Sequence, residues 1–280
     1  MTVVEQKHAL RCAVSAACAA GKLMRDNLRA AKVVNQRTSH DIKLELDVRC
    51  QKLIERMLHA KFPGIALLGE EGNSGAVDTE HRWVVDPIDG TVNFAYGIPH
   101  ACVSIALQER SAKGQERDIK STSQLTHHAS RVTHHVTLFG VVYDPFQDEL
   151  WTAVRGQSAF LNGKKIRVSN RSKLSEAVVS IGFAKSRHNL ERALPYFIWL
   201  ARRVHKMRMF GAAALGLTYV ATGRLDAYIE RGINLWDVAA GGLILECAGG
   251  KFWTEPVPGK RKLRMIASNA LLHRQFPIPR

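Results

Sequence analysis

Residues 83–94 read Trp-Val-Val-Asp-Pro-Ile-Asp-Gly-Thr-Val-Asn-Phe, and they hold the side chains best suited to chemistry in the chain. A β-branched run ends at Asp86. A second carboxylate, Asp89, follows three residues later, and Gly90 and Thr91 open the next segment. Read as a strand end that turns sharply, the segment presents two hard-oxygen ligands beside backbone N–H groups. Two such acids next to an anion hole suit Mg²⁺-dependent phosphate ester hydrolysis. The competing reading is a plain type I turn, which Asp followed by Pro also favours.

The other acids decide between these readings. The chain has 40 Lys+Arg against 25 Asp+Glu, a net charge of +15, so clustered acids stand out. Glu70 and Glu71 follow an apolar run, Asp237 follows Trp236 at a helix start, and Glu45 and Asp47 precede a second helix. Each has a local alternative: a solvated loop pair, an acid favoured by a helix dipole, an N-cap. If strand ends bring them together, each like-charge pair at about 5 Å costs on the order of 3 kcal/mol at an effective dielectric near 20. Bound divalent cations remove that cost.

Several elements must position these acids. Leu10, Val14, Ala17, Leu23 and Leu28 mark one face of a long N-terminal helix. Cys50, Leu53, Ile54, Met57 and Leu58 mark a buried stripe on a second helix, starting at Asp47. Strands are expected at 65–68, 83–85, 101–108 and 136–143. A polar stretch at 109–135 carries His127, His128, His134 and His135. Paired histidines are a zinc signal, but no Cys or carboxylate stands beside them at a ligand spacing, so the stretch reads as a hairpin insert. From residue 177 the pattern alternates strand and helix, with small-residue helices near 211–222 and from 236. Such alternation predicts a layered α/β lobe, and the lobe boundary is placed near residue 150, giving lobes 1–150 and 151–280.

Composition narrows the class. At 46% apolar residues, the 280-residue chain has the make-up of a globular protein that buries about three quarters of its unfolded surface. No apolar run reaches the roughly 20 residues of a membrane span. The Ala-rich stretch after Lys7 and Arg11 imitates a signal peptide weakly and reads better as helix. Five scattered cysteines without a Cys-x-x-Cys pair fit a reducing, cytoplasmic setting. Cys50 and Arg56 have the Cys-x₅-Arg spacing but lie on the expected second helix, so they do not read as a phosphate-cradling loop. The acids of 86–89 are three apart, whereas aspartyl-phosphate chemistry of the haloacid dehalogenase kind needs them two apart.

Taken together, the chain resembles the inositol monophosphatase family, a branch of the lithium-sensitive, Mg²⁺-dependent phosphatases. Gly69-Glu70-Glu71, Asp86 to Phe94 and Trp236-Asp237-Val-Ala-Ala-Gly241 match its three metal motifs in order. Asp226-Ala-Tyr-Ile-Glu230 matches a substrate-contact segment. The resemblance implies an αβαβα sandwich of two closely packed lobes (α+β or α/β), two or three Mg²⁺ ions, a small phosphorylated substrate and a homodimer. It implies that Glu70, Asp86, the Ile88 carbonyl, Asp89 and Asp237 hold metal. Asp47, Thr91 and Glu70 serve the attacking water. Asp89, Gly90, Thr91, Ala213, Glu230 and Asp237 line the substrate. Ala212 departs from the Ser or Thr usual in the family, and the 109–135 insert lengthens a hairpin that is usually short. Myo-inositol monophosphate or a similar polyol or sugar phosphate is the expected substrate. Fructose-1,6-bisphosphate, nucleotide 3′(2′),5′-bisphosphates, histidinol phosphate, and a role in binding RNA or a transcription complex stay open.

Overall fold

The computed structural model describes residues 1–37, 42–111, 135–183, 187–259 and 262–278. Helix α1 (Val3–Asn27) starts in a capping box. Thr2 Oγ1 accepts the Glu5 amide at 3.2 Å and the Glu5 carboxylate accepts the Thr2 amide at 2.7 Å. A short antiparallel pair, β1 (Val34–Arg37) and β2 (Ile42–Leu44), leads into α2 (Glu45–His59). Then come β3 (Ala66–Gly69), β4 (Gly72–Ser74), β5 (His81–Asp89) and the one-turn helix α3 (Thr91–Ala95). Strands β6 (Cys102–Arg110), β7 (His135–Asp144), β8 (Glu149–Val154), β9 (Ala159–Leu161) and β10 (Lys164–Lys165) follow. They complete an eight-stranded sheet of order β10-β9-β8-β7-β6-β5-β3-β4, which extends through Lys165, past residue 150.

The second sheet is built from β11 (Val178–Phe183), β12 (Lys206–Arg208), β13 (Ala227–Ile233), β14 (Gly250–Pro256) and β15 (Leu263–Asn269), in the order β12-β11-β13-β15-β14. Helix α4 (Arg187–Ala201) follows β11 and packs on that strand and β12. Helices α5 (Ala213–Ala221) and α6 (Leu235–Cys247) lie between the two sheets. Helices α1 and α2 cover the far face of the first sheet. The layers are therefore helix, sheet, helix, sheet, helix: the expected αβαβα sandwich.

Position in the layers explains the helix sequences. α5 and α6 meet a sheet on each side, so both are apolar nearly all round. Their small residues let backbones approach. A Cβ added at Gly140 of β7 would stand 2.7 Å from the Ala240 carbonyl oxygen of α6. α1 buries Ala9, Ala13, Ala16, Ala17, Ala20, Gly21 and Met24, while Leu10, Val14 and Leu23 stay at the edge of the interface. The buried face is thus the small-residue stripe, not the Leu/Val stripe the periodicity predicted. Close approach of α1 to the sheet, with Gly21 under the Tyr143 ring, replaces bulky knobs. Beneath it Trp83 and Phe139 meet edge to face at 5.8 Å in the core.

Candidate active site

The strand carrying Asp86 does not end there. β5 runs on to Asp89, and its register against β6 goes from Asp86↔Ser104 to Asp89↔Cys102. Three steps on one strand face two on the other, which defines a β-bulge rather than a turn. Pro87 sits inside the bulge, where a missing N–H costs no ladder bond. Gly90 then caps α3 with φ +92°. A Cβ there would lie 2.9 Å from the His100 carbonyl and 3.1 Å from Ala212 Cβ, so only glycine suits both the conformation and the space.

Three helix starts hold three of the acids. Asp47 is the third residue of α2, not a residue before it or its N-cap, and its Oδ2 accepts the Leu44 amide at 2.7 Å. Asp237 occupies the same position in α6 and accepts the Asn234 amide at 2.7 Å. Asp89 reaches across to α5 and accepts the Ala213 and Ala214 amides at 3.0 and 2.7 Å. Ala212 is the N-cap of α5 and has no side-chain oxygen to offer, so Asp89 performs the capping that Ser or Thr would otherwise provide. Each carboxylate thus lies at the positive end of a helix dipole.

The remaining residues complete the pocket. Glu70 follows β3, with its amide donating to the Val85 carbonyl at 3.2 Å. Asp86 lies buried in hydrogen-bonding contact with both Glu70 and Asp237. Burial, then the charge of Glu70, push the Asp86 carboxyl well above its ordinary range. Burial and the neighbouring charge of Asp237 raise Glu70 to about 8. The same two causes raise Asp89 to about 7, against the stabilising amides of α5. Burial raises Asp237 to about 6 despite the Asn234 amide and the charge of Lys262. Glu230, on β13 beside the Tyr228 hydroxyl, is raised to about 7, first by burial. Asp47, Glu70, Asp86, Asp89, Glu230 and Asp237 therefore lie within electrostatic reach of one another.

Thr91 Oγ1 donates to the Ile88 carbonyl at 2.8 Å and stands 3.4 Å from Asp47 Oδ1. Ala213 lies in the pocket wall with its amide engaged by Asp89. Sequence reasoning missed four contributors. Gln51 brackets the Glu70–Glu71 loop, its Nε2 donating to the Gly72 carbonyl and its Oε1 accepting the Glu71 amide, each at 2.9 Å. Cys102 Sγ lies 3.6 Å from Asp89 Oδ2. Tyr228 meets Glu230. Lys262, read from sequence as part of a solvated basic run, faces Asp237 and Glu230 electrostatically. Tyr228 lies within the 226–230 segment read from sequence but had no role there; no local pattern marked the other three, which only the fold brings in.

Asn93, given no role by sequence, has a structural one. Its Nδ2 donates to the His100 carbonyl at 3.0 Å and to the Phe210 carbonyl at 2.7 Å, tying α3 to the segment before α5. Phe94 is fully buried. Asn93→Ala leaves two carbonyls short of a donor, at about 1 kcal/mol each. The expected result is a Tm lower by about 5 °C, with kcat falling more than KM rises. Calorimetry and steady-state kinetics check it; an unchanged Tm would show that the tie carries no load.

Helix N-termini and buried acids thus surround a β-bulge in an αβαβα sandwich, the architecture of a family of phosphoric monoester hydrolases. The sequence profile described as "Inositol monophosphatase family" matches residues 5–114 and 130–271, leaving out only 115–129 within the insert. The chain belongs to the inositol monophosphatase family, a family of phosphoric monoester hydrolases. It is 37% identical over 250 residues to Nus factor SuhB of Xylella fastidiosa, covering 88% of this chain and 81% of that one. It is 36% identical over 254 residues to an inositol-1-monophosphatase of Caulobacter vibrioides, covering 87% and 88%. Among solved structures, the extragenic suppressor protein suhB of Bartonella henselae superposes with a TM-score of 0.80 at 32% identity, covering 95% of each chain. An Anabaena inositol monophosphatase superposes with a TM-score of 0.75 at 31% identity, covering 98% of each. Among the described residues, no helix is long and apolar enough to cross a membrane.

Proposed function

We infer that the protein hydrolyses myo-inositol monophosphate or a similar polyol or sugar phosphate with two or three Mg²⁺ ions in the acidic pocket. The observation that carries this reading is the convergence of Glu70, Asp86, Asp89 and Asp237, all with raised carboxyls. The donor set suits the metal: carboxylates and a backbone carbonyl are hard oxygen ligands.

On this reading Glu70, Asp86, the Ile88 carbonyl, Asp89 and Asp237 hold the ions. When bound, Mg²⁺ neutralises the phosphate and lowers the pKa of water for in-line attack. Asp47 and Thr91 orient that water and accept its proton: Asp47 Oδ1 faces the Thr91 hydroxyl, and Leu44 fixes the other oxygen. The amides of Gly90 and Thr91, at the start of α3, face the phosphate oxygens. Glu230, Asp89 and Asp237 accept from the substrate hydroxyls beside the wall formed by Ala213. The protein acts as a homodimer in the cytoplasm, the setting that its unpaired cysteines favour.

The test is a substrate panel with Mg²⁺. Turnover of inositol monophosphate above fructose-1,6-bisphosphate, a nucleotide 3′(2′),5′-bisphosphate and histidinol phosphate is expected, and Li⁺ should inhibit it. Dominant turnover of a nucleotide bisphosphate would overturn the substrate assignment. Glu230→Gln should raise KM for the polyol phosphate about tenfold and leave p-nitrophenyl phosphate little changed, since only the polyol has hydroxyls to read.

A second reading, binding to RNA or a transcription complex, draws on the +15 charge and on relatives named Nus factor SuhB. It calls for RNA affinity that survives Asp89→Asn and falls steeply with salt. Salt-insensitive or absent RNA binding removes it.

A further inference from the structure

Strand β5 carries a second set of ligand-type side chains at its other end, about 26 Å from Asp89 at a strand rise of roughly 3.3 Å. His81 opens the strand and sits directly opposite Glu109 of β6. His81 Nε2 lies 3.1 Å from Glu109 Oε1. Glu80, the residue before the strand, brings its carboxylate to the same point. One ligand atom from each of the three lies within 4.8 Å of the other two, and among the described residues no other three His, Cys, Asp or Glu side chains meet this closely.

We propose that His81, Glu109 and Glu80 form a Zn²⁺ site at the rim of the first sheet, separate from the acidic pocket. Zn²⁺ binds His nitrogen and carboxylate oxygen at about 2.0–2.2 Å, so tetrahedral neighbours stand about 3.4 Å apart. The His81–Glu109 pair is already near that separation. Glu80 is exposed, with one carboxylate oxygen within 4.8 Å of both partners' ligand atoms. An imidazole with two carboxylates favours Zn²⁺ over Mg²⁺ or Ca²⁺, which prefer all-oxygen shells. With three protein ligands, the fourth position is left to water or another ligand.

The backbone around the cluster is set. The Arg110 amide donates to the Glu80 carbonyl at 2.6 Å, and His135 Nε2 pairs with the Thr79 carbonyl at 3.0 Å. Nearby cations have their own partners. Arg82 donates to Gln108 Oε1 at 3.0 and 2.9 Å, and Arg110 lies 3.5 Å from Asp78. The Glu5 carboxyl, lowered first by its bonds from Thr2, also feels the charge of His81, so α1 adds a further acid to the neighbourhood. The bland alternative is a His–Glu ion pair on a sheet edge. It accounts for His81 and Glu109; Glu80, next to His81 in the chain, supplies the third ligand type that separates the two readings by experiment.

The position gives the site a structural consequence. β6 and β7 border the 112–134 insert, and His81, Glu109 and Val136 lie side by side across β5, β6 and β7 at that end. A bound ion would clip β5 to β6 where the insert leaves the sheet, and so would raise stability without touching the chemistry.

The experiment is a Zn²⁺ titration of metal-free, full-length protein against a chromophoric chelator, in excess Mg²⁺ to fill the acidic pocket. The expected result is one tight Zn²⁺ per chain, with affinity reduced at least tenfold by His81→Ala and by the exposed, fold-neutral Glu80→Gln. Phosphatase turnover in Mg²⁺ should stay unchanged in both variants. A triple change of His127, His128 and His134 to Ala should leave the site intact. The proposal fails if Glu80→Gln and His81→Ala bind Zn²⁺ as the parent does, if the triple variant loses the ion, or if Mg²⁺ displaces it. Should His81→Ala misfold, Glu80→Gln alone decides by the same readout.

Discussion

Asp89→Asn is expected to lower kcat/KM for a phosphate monoester by about 10³-fold, or about 4 kcal/mol of transition-state stabilisation, with the fold intact. Asp89 has two tasks that the substitution separates. Its oxygens cap α5 through the Ala213 and Ala214 amides, and on the proposed reading its charge helps hold Mg²⁺. Asparagine keeps one oxygen for one α5 amide but turns its NH₂ on the other and removes the charge, so a loss of about 1–2 kcal/mol is expected. Mg²⁺ affinity should fall at least tenfold, as read by calorimetric titration. Asp89→Ala removes both tasks and should add about 1–2 kcal/mol of destabilisation to the same loss of activity. Activity within tenfold of the parent in Asp89→Asn would sink the assignment of this residue to the metal. Ala212→Ser gives the converse control. A serine hydroxyl at that N-cap competes for the α5 amides, and a small loss of Mg²⁺ affinity would show that Asp89 is held in place by capping.

This arrangement also shows where the sequence was readable and where it was not. The three acidic motifs could be placed because their chemistry is local: a strand end, a glycine and acids a few residues apart. The layered fold followed from alternating elements and from the family resemblance they support. What escaped were features decided between elements. The bulge at Pro87 depends on β6, which offers two residues against three. The buried face of α1 depends on how closely the sheet lets a helix approach, so alanines took the place of leucines. Asp89 as the cap of α5 is a contact between residues 124 and 125 positions apart, and Asn93 reaches 117 positions to Phe210. Lys262 faces the acids from a run that reads as solvated surface. The helical limits of α2 shifted by two residues because Asp47, in the first turn rather than before it, reaches back to cap the Leu44 amide. His127, His128 and His134 of the insert lie outside the described residues.

Without divalent cations, the protein should lose stability as pH rises from about 5 to 8, and Mg²⁺ should reverse that loss. The sign follows from the raised carboxyls. Unfolded Asp and Glu ionise near pH 4. In the folded chain, burial and mutual charge delay ionisation to about 6 for Asp237, about 7 for Asp89 and Glu230, and about 8 for Glu70. Between those limits the folded state binds more protons than the unfolded one, so stability falls as pH rises. Below about pH 4 both states are protonated and the penalty is absent. It is still growing at pH 8, where Glu70 is about half ionised and the Asp86 carboxyl is held higher still. A Tm lower by about 5 °C or more at pH 8 than at pH 5 is the expected scale, since a few kcal/mol move a chain of this size by several degrees. Mg²⁺ at 100 times its Kd adds about 2.7 kcal/mol, and it competes with protons for the same oxygens. Its stabilisation should therefore be large at pH 8 and small at pH 5. Glu230→Gln removes one raised carboxyl outside the proposed ligand set, so it should flatten the pH slope while keeping the Mg²⁺ shift. Asp89→Asn should weaken both. A Tm that rises with pH in metal-free protein, or an equal Mg²⁺ shift at both pH values, would mean that these acids already have cationic partners within the chain.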